Sequence, residues 1–578
     1  MEVPDVGPLD AKIMLVGEAP GREEAEHGKP FIGASGRVLK SMLQHSNIDY
    51  NKCYVTNVVP KRPPNNNFNH YYTDKHKRTP YLEECQEKLR NKILKLKPNV
   101  VVALGSEALK ALTNRSSIKV NRGCPIKTLN TTVLPTYHPS AVLRCYQVQR
   151  RGDEVVKRVP LLPIVEMDLI KAKKYSLNGY AEPKVSIKLS PTIEDVIAFL
   201  SKITNRVAFD LETVNRSIRC IGLATGLKDN PKAIVIPFIS FQQNRGFKII
   251  KGAIKLSSKS TQSGTSYWTM EEELIVLDAI NKLFSNKNLE VVGQNSMSFD
   301  EPLLKSNFGI SIANHYLDTM HAHHDLYSEL PMNLDFLCSM YTDFPNYWIS
   351  KVTENDISEW TYCAMDAITT YVCSYKIEEN LRYAEMTDYY FKHRRLLALA
   401  LTDAQIEGLE IDLERRNVLL KEQRELLKQL EDKINKIAKT TVNPNSYNQV
   451  SDLLYNRMKL PPVKEKGKIT TSEKALRILE RKFPNEPVLE AIIMYRKTKK
   501  LISTYLMATL DEDGKLRTNW NPSGTKSGRI SSSKPIWGNG LQMQNIPKGY
   551  GRGIVNIRDI FIAGKDNVFI VGDLKQAN

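Results

Sequence analysis

Six side chains in the middle of this chain have the types and spacing to gather around a divalent cation. The run RVAFDLET holds Asp210 and Glu212 two residues apart. On a strand, that spacing aims both carboxylates at one face, where the pair can grip a divalent cation. VVGQNSMSFDEPLL places Asn295 and Asp300 behind a second apolar run, and WTYCAMDAITTY places Tyr362 and Asp366 four apart, on one face of a helix. Taken singly, each also fits a plainer role: a solvated strand edge, an N-cap for Asp300, a solvated helix face for Asp366. Together they supply the hard oxygen ligands that Mg²⁺ or Mn²⁺ takes. A further carboxylate, Asp573, follows the apolar run Val568–Val571 in FIVGDLKQAN, as a buried strand would deliver it.

The elements that must hold these groups follow from texture. Residues 205–375 open with three strand candidates, RVAFDLET, CIGLATG and KAIVIPFI, and then turn helical. Residues 11–170 alternate apolar runs such as KIMLVG and NVVVALG with helical patterns, an α/β reading. Residues 385–510 are almost all helix; DLERRNVLLKEQRELLKQLEDKINKIAK has apolar residues at three- and four-residue spacing without Gly or Pro. Strands are expected to resume at VFIVGD, and PPNNNFNHYYTDKHKRTP, 63–80, reads as a polar surface loop. Boundaries fall at 174–192, 376–400 and in the turn-rich 518–540.

The order DxE, D, YxxxD resembles the DEDD 3′–5′ exonuclease superfamily, in the subclass with Tyr. The resemblance implies two Mg²⁺ or Mn²⁺ ions held by Asp210, Glu212, Asp300 and Asp366. Asp210 would bridge them, and Tyr362 would orient the attacking water. Asn295 and Asp300 stand one residue farther apart than in the bacterial polymerase I pattern.

Residues 488–547 are the most specific stretch. YRKTKKLISTYL, TKSGRISS and LQMQNIP resemble, in order, the thumb end and the primer–template elements of family A DNA polymerases. The resemblance places Arg529 at the primer terminus and Gln544 and Asn545 against template and primer backbone. It also places Lys464, Lys466 and Lys468 of the thumb tip on duplex phosphates. VGDLKQAN resembles the start of polymerase motif A, with Asp573 as its metal-binding aspartate and Asn578 where the family has Glu. Polymerisation is not expected from these residues alone; a separate C-terminal polymerase fragment is the partner this implies.

VGEAPGREEAEHGKPFIGASGRVL, CYVTNVVPKRPP, NVVVALGSEALKAL and LPTYHPSAVLR resemble family 4 uracil-DNA glycosylases. That implies Glu18 as the water-positioning residue, Phe31 stacking on an extruded base, Asn57 reading the uracil edge and His138 stabilising the departing base. The family carries a four-cysteine iron–sulfur cluster. Here Lys61 occupies one ligand position, only Cys85 matches another, and no cluster is expected.

At 578 residues the chain is too long for one core, and about three or four domains are expected. A hydrophobic fraction of 41% argues against disorder, and no apolar run is long enough to span a bilayer. Eight scattered cysteines without a CxxC pair exclude a disulfide framework or zinc ribbon. The formal charge of +18 favours a polyanion partner.

The reading is a multidomain α/β protein. It has a three-layer α/β/α glycosylase-like domain (1–177), a ribonuclease H-like DEDDy exonuclease (185–380), a mainly helical thumb (381–510) and an incomplete palm (511–578). It would act on single-stranded 3′ ends and primer–template DNA. The order of domains suggests the replicative polymerase of a large bacteriophage, without membrane association, in the cytoplasm of an infected host. The alternatives are a repair glycosylase with an attached nuclease, and a catalytically silent DNA-binding fragment.

Overall fold

The structure is a computed structural model that describes residues 2–73, 77–146, 150–151, 154–155, 159–214, 216–240, 247–250, 253–256, 265–348, 352–353, 356–465, 467–535, 539–547 and 555–572. It divides into two compact units, Met1–Gln149 with Val155–Leu396, and Arg150–Glu154 with Leu397–Asn578. Asp573 and Lys466 lie outside the described residues.

The first unit holds two sheets. The N-terminal one comprises β1 (Ile13–Gly17), β2 (Cys53–Asn57), β3 (Val100–Leu104), β4 (Ile126–Thr128) and β5 (Thr131–Thr136), in the order β2-β1-β3-β5-β4. All pairs are parallel except β4 with β5. The central strands β1 and β3 are buried on both faces, so IMLVG and VVVAL read as continuous apolar runs. Helices α1 (Ala34–His45), α2 (Pro80–Leu96) and α3 (Leu161–Asn178) help cover them. Leu39, Met42 and Leu43 of α1 and Val165 and Leu169 of α3 belong to one core cluster, and Leu82, Leu89 and Ile93 of α2 to another.

The described residues of 63–80 are mostly exposed, as a polar surface loop should be, but two aromatics turn inward. Phe68 and Tyr71 are buried, and their rings meet at 5.3 Å; Tyr71 in turn meets Tyr81 at 5.5 Å. The surrounding Asn and Lys residues mask these two aromatic side chains, which anchor the loop to the core.

The second sheet has nine strands: β6 (Ser186–Lys188), β7 (Arg206–Val214), β8 (Ser217–Leu227), β9 (Asn230–Pro237), β10 (Phe247–Ile250), β11 (Ala253–Leu256), β12 (Glu290–Gly293), β13 (His315–Asp318) and β14 (Val352–Thr353). Its path is β14-β10-β11-β7-β8-β9-β6, with β12 lying between β7 and β13. On one edge, β7 pairs with β12 over Arg206–Ala208 and with β11 only from Thr213. The sheet therefore forks alongside Phe209–Glu212. Helices α4 (Asp300–Phe308), α5 (Thr319–Leu326), α6 (Leu334–Tyr341) and α7 (Asp356–Tyr383) follow in chain order. The apolar residues of α7 share one core with Ala208, Cys220, Ala224, Ala233 and Val235 of the sheet.

The second unit is mainly helical. Helices α8 (Leu413–Ala438), α9 (Glu473–Lys482) and α10 (Pro487–Lys500) bury Ile434, Ala438, Leu476, Leu479, Leu489 and Ile492 against one another. Val568–Val571, expected as a strand, form none, and Ile570 is 95% exposed. Apolar alternation makes a strand only where a neighbour supplies the hydrogen bonds, and no described segment pairs here. No helix among the described residues is long and apolar enough to cross a membrane. The architecture is the expected multidomain α/β one.

Candidate functional site

Asp210 and Glu212 sit on β7, opposite Gly222 and Cys220 of β8. Directly opposed residues share a face, so Gly222 lies beside Asp210. A Cβ there would come within 2.8 Å of Cys363 Sγ and 2.9 Å of the Cys363 carbonyl oxygen. Glycine is what lets α7 approach this closely. That approach brings Asp366, one turn past Cys363, to the carboxylates of β7. Ligand oxygens of Asp210, Glu212 and Asp366 lie within 4.8 Å of one another, the single such group of three or more acidic, His or Cys side chains among the described residues.

Asp300 arrives by the fork. Where β7 has no strand partner on one side, its Leu211 amide donates to Asp300 Oδ1 at 3.2 Å. Asp300 begins α4, so its carboxylate is presented by the helix start. The irregular 294–299 loop before it is held by Asp318, a residue the sequence reading missed. Asn295 adopts φ 58°, and its amide donates to Asp318 Oδ1 at 3.0 Å, while the Met297 amide donates to Oδ2 at 3.2 Å. Asp318 is fully buried and also caps α5 by accepting from Met320. Its sequence signal was available: an Asp at the end of the strand-like HYLD, just before a helical pattern.

Electrostatics match a cation site. Burial and then the neighbouring Asp366 and Asp300 raise the Asp210 carboxyl well above its ordinary range. Burial and then Asp210 raise Glu212. Burial, then Asp318, raises Asp300. Burial pushes Asp366 up to about 7, against hydrogen bonds from Tyr347 and Tyr362. Glu212 Oε2 is buried without a hydrogen-bond partner. A divalent ion would relieve both the repulsion and the unsatisfied oxygen, so these residues fit one. Burial also raises the Tyr362 hydroxyl, which stays a neutral phenol.

A second site lies in the N-terminal domain. Glu18, Phe31 and His138 line a cavity of about 870 Å³. Asn57, at the end of β2, is not among the lining residues but meets Phe31 over Gly17: a Cβ on Gly17 would lie 2.3 Å from Asn57 Oδ1 and 2.7 Å from the Phe31 ring. Gly17 thus permits Asn57 and Phe31 to converge. Phe31 adopts φ 52°, a costly conformation for a bulky residue. The Glu24 carboxylate lies beside the bend and accepts from the Gly21 amide at 2.6 Å. The His138 ring stands 6.4 Å from that of Phe31. Its Nδ1 accepts from the Ser140 amide at 3.2 Å, which leaves the proton on Nε2. Burial, then Arg144, pushes His138 down to about 4, so the ring is neutral. Burial, then Glu107, raises Glu18.

Cys85 packs with Tyr71 and Leu82 in an apolar cluster. No group of three cysteines converges among the described residues, so the thiols present do not fit a four-cysteine iron–sulfur cluster.

In the second unit, Lys464 and Lys468 are exposed on a two-stranded hairpin. Arg529, Gln544 and Asn545 are exposed on one small module. The Gln544 amide donates to Ser532 Oγ at 3.1 Å and its side chain to the Ile530 carbonyl at 2.8 Å. Asn545 is anchored through its carbonyl, which accepts from Tyr505 at 2.7 Å.

Comparison with known proteins assigns the segments. The uracil DNA glycosylase superfamily matches residues 4–161, the 3′-5′ exonuclease family 185–392 and DNA polymerase family A 414–578. A type-4 uracil-DNA glycosylase of Thermotoga maritima is 38% identical over 175 residues, 29% of this chain and 80% of that protein. DNA polymerase I of Synechocystis is 27% identical over 319 residues, 52% of this chain; the chain spans about a third of that relative, 31% of its length. Among solved structures, the POL domain of Pol1 from M. smegmatis, in complex with DNA primer-template and dNTP, aligns over 65% of this chain and 59% of that one. Its TM-score is 0.48 at 17% identity. Through residues 4–161 the chain belongs to the type-4 uracil-DNA glycosylase family, and it joins that domain to the exonuclease and polymerase domains of a family A DNA polymerase.

Proposed function

We propose that this chain edits DNA by two activities in one unit, a divalent-metal 3′–5′ exonuclease and a uracil-excising pocket, joined to a thumb that grips primer–template. The observation that carries the reading is the convergence of Asp210, Glu212 and Asp366 within 4.8 Å, with Asp300 fastened to the same strand. Asp210, Glu212, Asp300 and Asp366 would hold Mg²⁺ or Mn²⁺. Bound ions supply an activated water and charge stabilisation for the leaving 3′ oxygen. Tyr362, held neutral, orients the water by hydrogen bonding and does not act as a base.

In the N-terminal pocket, Phe31 stacks on an extruded base and Asn57 reads its edge. The neutral His138 donates its Nε2 proton to the oxygen on which negative charge develops as the glycosidic bond breaks. Glu18, with its proton affinity raised by burial, positions water on the sugar. In the second unit, Lys464, Lys466, Lys468, Arg529, Gln544 and Asn545 bind duplex. The glycosylase-like domain ahead of a polymerase supports a replicative polymerase of a large bacteriophage, at work in the cytoplasm of the infected host.

One substrate tests both activities: a 5′-labelled single strand with one internal uracil. In Mg²⁺ it should shorten from the 3′ end. In EDTA shortening should stop while an alkali-labile site still forms at the uracil. Shortening in EDTA would contradict the exonuclease reading, and absence of the alkali-labile site the glycosylase reading.

A further inference from the structure

The segment after α6 is tied at one end to the N-terminal domain and at the other to a metal-site carboxylate. Lys171 on α3 donates to the carbonyls of Gly123 at 3.0 Å, Ser339 at 2.6 Å and Thr342 at 2.5 Å. An ammonium has three donors, and here all three are used. The Asp343 carboxylate accepts from Tyr175 of α3 at 2.7 Å and pairs with Lys174 of the same helix. The Asp343 carbonyl accepts from Tyr180 at 3.1 Å. The Asn346 side chain donates to the Val120 carbonyl. One residue on, Tyr347 faces the other way. Its hydroxyl donates to Asp366 Oδ1 at 2.9 Å and lies 2.8 Å from Thr369 Oγ1, on the same helix as Asp366. Its ring stacks on Trp348 at 3.7 Å and meets Tyr362 edge-on at 6.2 Å.

Within its own helix Asp366 has Tyr362, one turn back; from outside that helix the Tyr347 hydroxyl fixes one of its oxygens. That hydroxyl stands on a short irregular segment, whose position depends on what clamps it. Three residues separate the clamp at Asp343 from Tyr347, too few to decouple them.

We propose that Tyr347 is a positioning residue of the exonuclease metal site, and that α3 of the glycosylase-like domain holds it in place through Asp343. The proposal rests on the exonuclease reading of Asp210, Glu212, Asp300 and Asp366. It gives the fusion of the two domains a physical consequence: loosening the N-terminal domain weakens the grip of Asp366 on a cation.

The test is the Mg²⁺ concentration giving half-maximal hydrolysis of a single-stranded oligonucleotide by the full chain. Tyr347→Phe keeps the ring and should raise this midpoint about tenfold, as for other partners of metal ligands. Asp343→Ala, more than one contact away, should raise it about threefold. Tyr175→Phe, which removes only the hydroxyl donor to Asp343, should raise it too and serves if Asp343→Ala does not fold. The double variant Asp343→Ala/Tyr347→Phe should match Tyr347→Phe alone, since both act through one hydroxyl. An unchanged midpoint in Tyr347→Phe, or in both Asp343→Ala and Tyr175→Phe, overturns the proposal, as does full additivity in the double variant. Absence of Mg²⁺-dependent hydrolysis in the unaltered chain would instead remove the exonuclease reading beneath it.

Discussion

Gly222→Ala should cripple the exonuclease without touching a single ligand. The added Cβ would sit 2.8 Å from Cys363 Sγ and 2.9 Å from the Cys363 carbonyl oxygen. Non-bonded heavy atoms rest at about 3.5–4.0 Å, so one partner must retreat by roughly 0.6–1.2 Å. The thiol can rotate away, but the carbonyl is helix backbone and moves only with α7. Asp366 rides on that helix three residues on, while Asp210 and Glu212 stay on β7. Overpacking of this kind costs about 1–3 kcal/mol of stability, and a 1 Å misplacement at a reacting centre costs roughly 10²-fold in rate. The assay is release of nucleotides from a single-stranded 3′ end in saturating Mg²⁺, with circular dichroism melting to verify folding. A folded Gly222→Ala chain with the unaltered rate would refute the argument that this glycine sets the helix–strand approach.

The metal-site carboxyls bind protons more tightly when folded, Asp366 up to about 7, so their contribution to stability is present at low pH and lost as pH rises through 7. Melting temperature without divalent ions should therefore be lower at pH 8 than at pH 5.5, and Mg²⁺ should raise it more at pH 8; equal increments would contradict this. Asn57→Ala and His138→Ala should each lower uracil excision by about 10²-fold or more, measured on a uracil-containing strand in EDTA, and excision unaffected by either would displace them from the pocket's chemistry. Lys464→Ala and Lys468→Ala should each shallow the log–log salt dependence of duplex binding by about 0.9; unchanged slopes in titrations over moderate salt would place the duplex elsewhere.

Asp210 with Glu212, and Tyr362 with Asp366, were legible as candidates because their spacing is local: two along a strand, four along a helix. What brings them together was not. Gly222 looks like any strand glycine until α7 is seen against it, and the fork that frees the Leu211 amide is a property of three strands from distant parts of the chain. Tyr347 sits in a segment without periodicity, so its bond to Asp366 left no pattern to read. The aromatics of 63–80 were hidden by their polar neighbours. The run Val568–Val571 misled in the opposite sense, since hydrophobicity signals a strand but pairing makes one. In the N-terminal domain, the strained backbone of Phe31 lies beside Glu24, a carboxylate seven residues earlier that no local pattern ties to it.

The most direct test of the central claim is a time course of a 5′-labelled single-stranded oligonucleotide with the unaltered chain and with Asp210→Ala, both in Mg²⁺. The account predicts a ladder that shortens by single nucleotides from the 3′ end, slowed by several orders of magnitude in Asp210→Ala. A ladder of equal rate in Asp210→Ala, or cleavage that begins internally, would contradict it.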